Sequence, residues 1–476
     1  MSITEQLARF AIESGPSILT DDVAASAKLK FLDTIAVMLP GARHESGTSA
    51  LRVAQRMGGK PAATLFVNGD KTSSPLAGFV NGVAAHALEY DDNTRSVGHA
   101  SVLLVPGCLA VAEEASASGR AMLEAFSLGF EITSRIAKGL RPALIDNGWH
   151  PIGIVGGQGV AVAACRLLGL DVRKTRMAMG IMASSGGGVR KNVGTMGKAF
   201  HVGHGVRSGI FAALLAQEDF SVDPDIIEGA EGGGCEGHQR FGLADTFSGI
   251  GKYRLHLMVE GLGGELEVAR NTTMVRMHPG STAPSSTVDG VIALAREHAI
   301  APADVVELVA ELTPQCVAIA PYLEPSDEHR AKFCLPYTLA VALIDREVLL
   351  RQYEPARIAA ADVRALMPKI KIVLPDDLKH HRGQWGENGV NWGESRFTLK
   401  LKDGRVLTKA APYSRGWPED PVAWDDVKTK YAQCAEGILS SAQIAETVDM
   451  IARLERLDKV AELVRALTPR RIGKPN

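Results

Sequence analysis

The run Ala77-Gly-Phe-Val-Asn-Gly-Val-Ala-Ala85 leads into His86-Ala-Leu-Glu89-Tyr90-Asp91-Asp92-Asn93-Thr94-Arg95-Ser-Val-Gly-His99, and that into the apolar run Val102-Leu-Leu-Val105. The flanking runs read as buried helices, the first built of residues small enough to let a neighbour approach closely. Between them, fourteen residues hold three carboxylates, one arginine and two histidines. A single carboxylate such as Asp91 or Asp92 could simply cap the next helix or face its dipole. So many charges between two buried helices call for a functional reason.

Working outward toward the N-terminus, residues 3–14 and 21–39 carry apolar positions three and four apart, with Thr20-Asp21-Asp22 as a capped start and Pro40-Gly41 as a stop. A helix at 47–57, a short strand with a turn at 62–69 and a helix at 75–88 complete that side. On the other side the pattern predicts helices at 101–117, 119–140, 152–168, 172–184 and 196–217, joined by short turns. The Gly-rich run Glu231–Gly237 reads as a turn, with one short helix within 222–248, and Gly261–Gly264 breaks the pattern again.

The character changes near residue 270. A helix at 285–299, the apolar run Val305–Thr313, a helix at 328–345 and two alternating strands at Lys369–Leu374 and Arg396–Thr408, the latter turning at Asp403-Gly404, describe a small α+β region. Helical spacing returns at 422–437, 440–453 and 456–467, and the tail Pro469–Asn476 reads as frayed. The fold class is therefore mainly α: a large all-helical domain formed by residues 1–270 and 416–476, with a smaller α+β domain, 271–415, inserted between.

Composition narrows the partners. With 52 Lys+Arg against 54 Asp+Glu and a net charge of -2, the chain carries no basic footprint for nucleic acid or an anionic membrane. No window is apolar enough to span a bilayer and the N-terminus lacks a signal pattern. Cys108, Cys165, Cys235, Cys316, Cys334 and Cys434 stand far apart, with no zinc-type spacing, and read as buried apolar residues in a reducing, cytoplasmic setting.

Two Gly-rich stretches look like nucleotide motifs and are not. Gly153-Ile-Val-Gly156-Gly157-Gln-Gly159 misses the dinucleotide spacing and follows no strand, so its glycines are read as contacts between helices. Gly194-Thr-Met-Gly197-Lys198-Ala199 has the Gly-Lys pair of a phosphate loop, but Ala199 stands where a metal-binding hydroxyl is needed. What remains is Lys198 at a helix start, on a helix that also carries His201 and His204. That histidine pair has no acidic residue at helical spacing, and no metal site is expected. His99, His150 and Lys198 each follow a turn at a helix entrance, where main-chain N–H groups favour anions. Together they suggest an anion pocket containing bases.

His86-Ala-Leu-Glu-Tyr-Asp-Asp with His99-Ala-Ser, Gly148-Trp-His150-Pro-Ile-Gly-Ile-Val-Gly-Gly, Gly194-Thr-Met-Gly-Lys198-Ala-Phe-His-Val-Gly, Phe333-Cys-Leu-Pro-Tyr-Thr-Leu-Ala and Lys402-Asp-Gly-Arg405 resemble, in order and over almost the whole chain, the MmgE/PrpD family. That family includes 2-methylcitrate dehydratase, cis-aconitate decarboxylase and iminodisuccinate epimerase. The resemblance implies a helical domain built from both ends of the chain, an inserted lid domain, a homodimer, and chemistry on small polycarboxylates without a cofactor. Carried across motif by motif, the family's site falls on Glu89, Asn93, His99, His150, Lys198 and Arg276, with Asp92 and His201 beside them. Glu89, Asn93, Ala100, Arg276 and Ser285 replace residue types that are usual in the family.

Removing a proton next to a carboxylate creates an enolate whose extra negative charge must be stabilised. Either His99 or His150 could be the base and the other the acid, since imidazoles titrate near neutrality. On this reading Lys198 and Arg276 hold substrate carboxylates, Glu89 orients a histidine, and Asn93, Asp92 and His201 contact substrate. The leading expectation is a hydro-lyase of the 2-methylcitrate dehydratase kind. Epimerisation or decarboxylation would use nearly the same groups, and a non-catalytic carboxylate-binding protein is the remaining alternative.

Overall fold

The computed structural model describes residues 1–229, 241–270, 272–281, 285–379 and 395–468. The glycine-rich run Glu231–Gly237, with Cys235, and the tail Pro469–Asn476 lie outside them. The chain forms two compact units, one made of Met1–Ala87, Asp91–Thr273 and Ala423–Asn476, the other of Leu88–Tyr90 and Met274–Val422.

The first unit is helical, and its glycines decide how its helices cross. Helix Ser74–His86 packs on helix Met196–Gln217. A Cβ added at Gly78 would meet Val206 and Ile210, one at Gly82 would lie 3.2 Å from the Gly203 Cα, and one at Gly203 would lie 2.5 Å from the Phe79 carbonyl oxygen. Positions advance along one helix as they recede along the other, so the pair is antiparallel and the end carrying His86 lies beside the start carrying Lys198. A second seam joins helices Gly119–Leu140 and Gly157–Leu167, where a Cβ on Gly159 would sit 2.4 Å from the Gly129 carbonyl.

Side-chain caps start several helices: Thr20 accepts from the Val23 N–H ahead of Asp21–Gly41, and Asp171 from the Lys174 N–H ahead of Val172–Ser184. From the C-terminal stretch, helix Trp424–Ala435 packs on Asp21–Gly41, with Lys430 Nζ 2.6 Å from Asp33 and both side chains fully buried. The expected helix at 152–168 begins instead as a π-turn, Ile152–Gly156, and becomes α-helical at Gly157. The last helix starts at Val460, after a 3-10 turn at Leu454–Arg456, rather than at 456.

The second unit holds a four-stranded mixed sheet in the order Ile370–Val373, Val305–Glu311, Ser395–Leu401, Val406–Ala411. The first pair is parallel and the others antiparallel, with Leu308 opposite both Ile370 and Leu399. Along Ser395–Leu401, buried residues alternate with more exposed ones, as a sheet with one covered face requires. Helices Ser285–Glu297 and Leu335–Asp345 pack in its core. The hairpin turns at Gly404, whose φ of +88° suits glycine.

The single helix expected at 328–345 is two, Glu328–Ala331 and Leu335–Asp345. Cys334 is extended, and Pro336 fits only in the first turn of the new helix. The five described cysteines are buried free thiols, and burial pushes that of Cys165 up to about 12. Among the described residues no helix is long and apolar enough to cross a membrane.

Candidate active site

In the first unit, helix Ser74–His86 ends at a buried imidazole and the chain turns back to helix Ser101–Glu114, placing His99 just before it. Asp91 lies between the two rings. Its Oδ1 accepts from His86 Nδ1 at 2.9 Å and its Oδ2 faces His99 Nδ1 at 2.8 Å. His99 Nδ1 is also 2.9 Å from the main-chain carbonyl of Asp92. Both neighbours of that nitrogen are acceptors, so Nδ1 carries the proton and, in the neutral ring, Nε2 is the basic nitrogen.

His150 enters from a different element. Its N–H donates to the Gly188 carbonyl at 2.8 Å, and the π-turn begins two residues on. A Cβ on Gly153 would lie 2.0 Å from the Gly187 carbonyl oxygen, so only glycine lets the two segments meet this closely. His150 Nδ1 lies 3.1 Å from Nδ1 of His201, one turn into helix Met196–Gln217. Two Nδ1 atoms can share one proton, so exactly one of these rings is the donor and each fixes the tautomer of the other. The ring centroid of His150 is 6.4 Å from that of His99 and 6.3 Å from that of His86.

Lys198, nearly buried in the first turn of its helix, acts electrostatically on His99, His150 and His201. Burial first, against a partly compensating Asp91, and then the charges of Lys198 and His86 bring His99 down to about 4. Burial and Lys198 likewise hold His150 well below the ordinary imidazole range, and burial with His86 and Lys198 takes His201 to about 4. At neutral pH these three rings are uncharged proton acceptors beside a lysine and three helix entrances.

Asp92 is fully buried, and its side chain accepts from the Ser101 hydroxyl. Burial and the nearby Asp33 raise its carboxyl to about 7, while burial lowers Lys30 to about 8 despite the attraction of Asp92 and Asp33. Expected as a substrate contact, Asp92 instead gives its main-chain carbonyl to His99 and its side chain to a buried layer with Ser101, Lys30, Asp33 and Lys430. Asn93, also expected to contact substrate, is buried in the two-residue strand Asn93–Thr94.

Glu89 and Arg276 belong to the second unit. Arg276, 1% exposed, donates through Nη1 to the Gly280 carbonyl at 2.7 Å and lies 3.7 Å from Glu89 Oε2. The Gly280 N–H in turn donates to the Glu89 carbonyl at 2.8 Å. Glu89 has a φ of +53°, unusual outside glycine and asparagine and common at functional positions. Lys332, in the break between the two helices, is fully buried with Nζ 2.6 Å from Glu328. It lines a small pocket with His278, Ser281 and Ser285. The carboxylate that orients His99 is thus Asp91, where Glu89 was expected to orient a histidine.

No sequence motif assigns His86 a role or Asp91 more than that of a helix cap, although both lie in the decisive stretch. The available signal was spacing: a histidine closing a helix and an aspartate five residues later, just past the turn.

The chain belongs to the MmgE/PrpD family. Residues 5–236 match the MmgE/PrpD N-terminal domain and residues 278–456 the C-terminal domain. The latter match runs through the sheet-bearing unit and back into the helical one. Full-length relatives include the cis-aconitate decarboxylases of Mus musculus, 24% identical over 98% of this chain and 93% of the relative, and of Homo sapiens, 26% identical over 98% and 94%. The cis-aconitate decarboxylase of Aspergillus terreus is 23% identical over 98% of this chain and 96% of its own. The family makes this a lyase-type enzyme acting on small polycarboxylates.

Proposed function

We propose that this enzyme is a hydro-lyase that removes water from a small hydroxylated di- or tricarboxylate. The observation that carries the reading is the Asp91 carboxylate on His99 Nδ1, which leaves a neutral imidazole with its basic Nε2 in a site that also holds Lys198. His99 Nε2 takes the proton α to a carboxylate. The electron pair moves into that carboxylate as an enediolate, whose added charge the Lys198 ammonium and helix N–H groups offset. The pair then returns to form the C=C bond as the β-hydroxyl leaves, taking the proton from the His99 imidazolium Nε2 and departing as water, which returns His99 to its neutral form. His150 Nε2–H donates a hydrogen bond to the leaving oxygen when His201 is the donor of the Nδ1–Nδ1 hydrogen bond.

Arg276, paired with Glu89, is assigned to a substrate carboxylate on the strength of the family resemblance. A homodimer is proposed on the same basis. It is supported by Met196, Phe200 and Phe211, which are exposed at helical spacing on one helix, and sedimentation of the full chain tests it.

The names of the full-length relatives favour a second reading, decarboxylation of a cis-aconitate-like acid. One experiment separates the two: proton NMR in D2O with methylcitrate, citrate, cis-aconitate, iminodisuccinate and hydroxylated dicarboxylates. An alkene formed from a hydroxy acid supports dehydration. CO2 released from cis-aconitate establishes the second reading, and stereochemical exchange without loss of any group makes the enzyme an epimerase. No reaction and no α-deuteration with any of these acids refutes the proposed chemistry.

A further inference from the structure

His86, His99 and His150 come from three different segments, and one ring nitrogen from each lies within 4.8 Å of those of the other two. The spacing of these residues in sequence gives no metal motif, since none of the three shares a helix face with another. Folding supplies what the sequence lacks. Asp91 accepts from Nδ1 of His86 and lies 2.8 Å from Nδ1 of His99, the carboxylate–imidazole arrangement that orients histidine ligands of metals and raises their basicity. His86 is 1% exposed, and its Nε2 has no hydrogen-bond partner among the described residues. A buried nitrogen left in that state is unfavourable, and a cation would satisfy it.

We infer that these three imidazoles bind one divalent transition-metal ion, zinc in particular, and that the bound ion blocks the site. Three imidazoles leave a fourth tetrahedral position for water or a carboxylate oxygen. Bonds of about 2.0–2.1 Å to zinc put ligand nitrogens roughly 3.4 Å apart, so the rings close inward when the ion binds. Lys198 opposes a cation, which makes the ion a reversible inhibitor here. The blocking effect rests on the proposed catalytic use of His99 and His150; the binding does not.

The test is a titration of the tag-free, EDTA-treated full chain with Co2+, followed by visible absorbance, and then with Zn2+ by calorimetry, both without substrate. One ion per chain is expected, with affinity weakened about tenfold or more in both His86→Ala and His150→Gln, and tightened in Lys198→Met. Circular dichroism and thermal melts identify any variant that has not folded, and the remaining variants then decide. Absence of binding to the wild type, or binding unchanged in every folded histidine variant, overturns the site. Addition of Zn2+ to the enzyme turning over its acid should stop the reaction, with recovery on adding EDTA. Binding without inhibition overturns the blocking role and, with it, the catalytic assignment of these histidines, while leaving the metal site in place.

Discussion

Asp91→Asn changes one atom of the side chain and, on this geometry, disables the site without unfolding the protein. The carboxylate accepts from His86 Nδ1–H and faces His99 Nδ1 at 2.8 Å, in a position with no solvent exposure. An amide has one acceptor oxygen and one donor nitrogen there. Where the oxygen keeps His86, the amide N–H faces His99 Nδ1, and that ring turns its Nδ1 into an acceptor, moves its proton to Nε2 and gives up its hydrogen bond to the Asp92 carbonyl. In that state the base is lost. The same exchange in a Ser-His-Asp triad lowers kcat about 10⁴-fold through the wrong tautomer, and here a loss of about 10³- to 10⁴-fold in kcat is expected, with KM changing far less. One charge-assisted hydrogen bond becomes a neutral one and one close charge contact is lost, near 1 kcal/mol each, partly offset because no charge is buried. The net destabilisation is about 1–2 kcal/mol, a Tm decrease of a few degrees. Steady-state kinetics on the acid identified by NMR, a thermal melt and ¹⁵N spectra of the histidine rings provide the three readouts. A variant that keeps more than about a tenth of the wild-type kcat, on the scale set by that triad, while its ring spectra show a flipped tautomer would refute the role given to His99.

His99 titrates near 4, so the acid limb of kcat/KM should fall there and not near the ordinary imidazole value of about 6.5; a limb at 6.5 contradicts the assignment. The same shift has a sign for stability. Below pH 6.5 the unfolded chain takes up protons that folded His99 and His201 refuse, so both contributions fall as pH drops from about 6.5 toward 4. Urea midpoints of the wild type and His99→Gln should therefore draw together over that interval, and parallel curves refute this. Gly203→Ala places a methyl 2.5 Å from the Phe79 carbonyl and should cost about 1–3 kcal/mol and lower kcat by moving His86 against Lys198; an unchanged Tm refutes the seam. Lys430→Met strands the buried Asp33 charge and should cost about 3–5 kcal/mol, much of it regained in Lys430→Met/Asp33→Leu, as denaturant melts of both variants would show.

Helices with strong periodicity and a side-chain cap were legible in sequence: Val172–Ser184 and Met196–Gln217 start and stop where spacing and punctuation place them. The hairpin at Asp403-Gly404 was legible for a related reason, a turn residue between alternating strands. The break at Lys332–Cys334 was not, because a proline at the second position of a new helix looks the same in sequence as one inside a longer helix. The π-turn at Ile152–Gly156 depends on contact with Gly187, which no local pattern reveals. For the site, residue types and helix entrances pointed to His99, His150 and Lys198, which the structure gathers in one unit. Choosing among Glu89, Asp91 and Asp92 needed the direction of each side chain after the helix end, and the positive φ of Glu89 turns the chain there. Lys430 and Asp33 stand 397 positions apart, and nothing in a single sequence joins them.

The glycine seam between Ser74–His86 and Met196–Gln217 also limits how this enzyme can diverge. At Gly203 an added carbon would lie 2.5 Å from the Phe79 carbonyl oxygen, and at Gly78 and Gly82 it would press on Val206, so the helices that carry His86 and Lys198 resist enlargement along this seam. A lineage exploring new acids must vary positions off that seam. Asn93 and Arg276, where the family resemblance marks departures from the usual residue types, stand off that seam and are open to change without moving those two helices against each other.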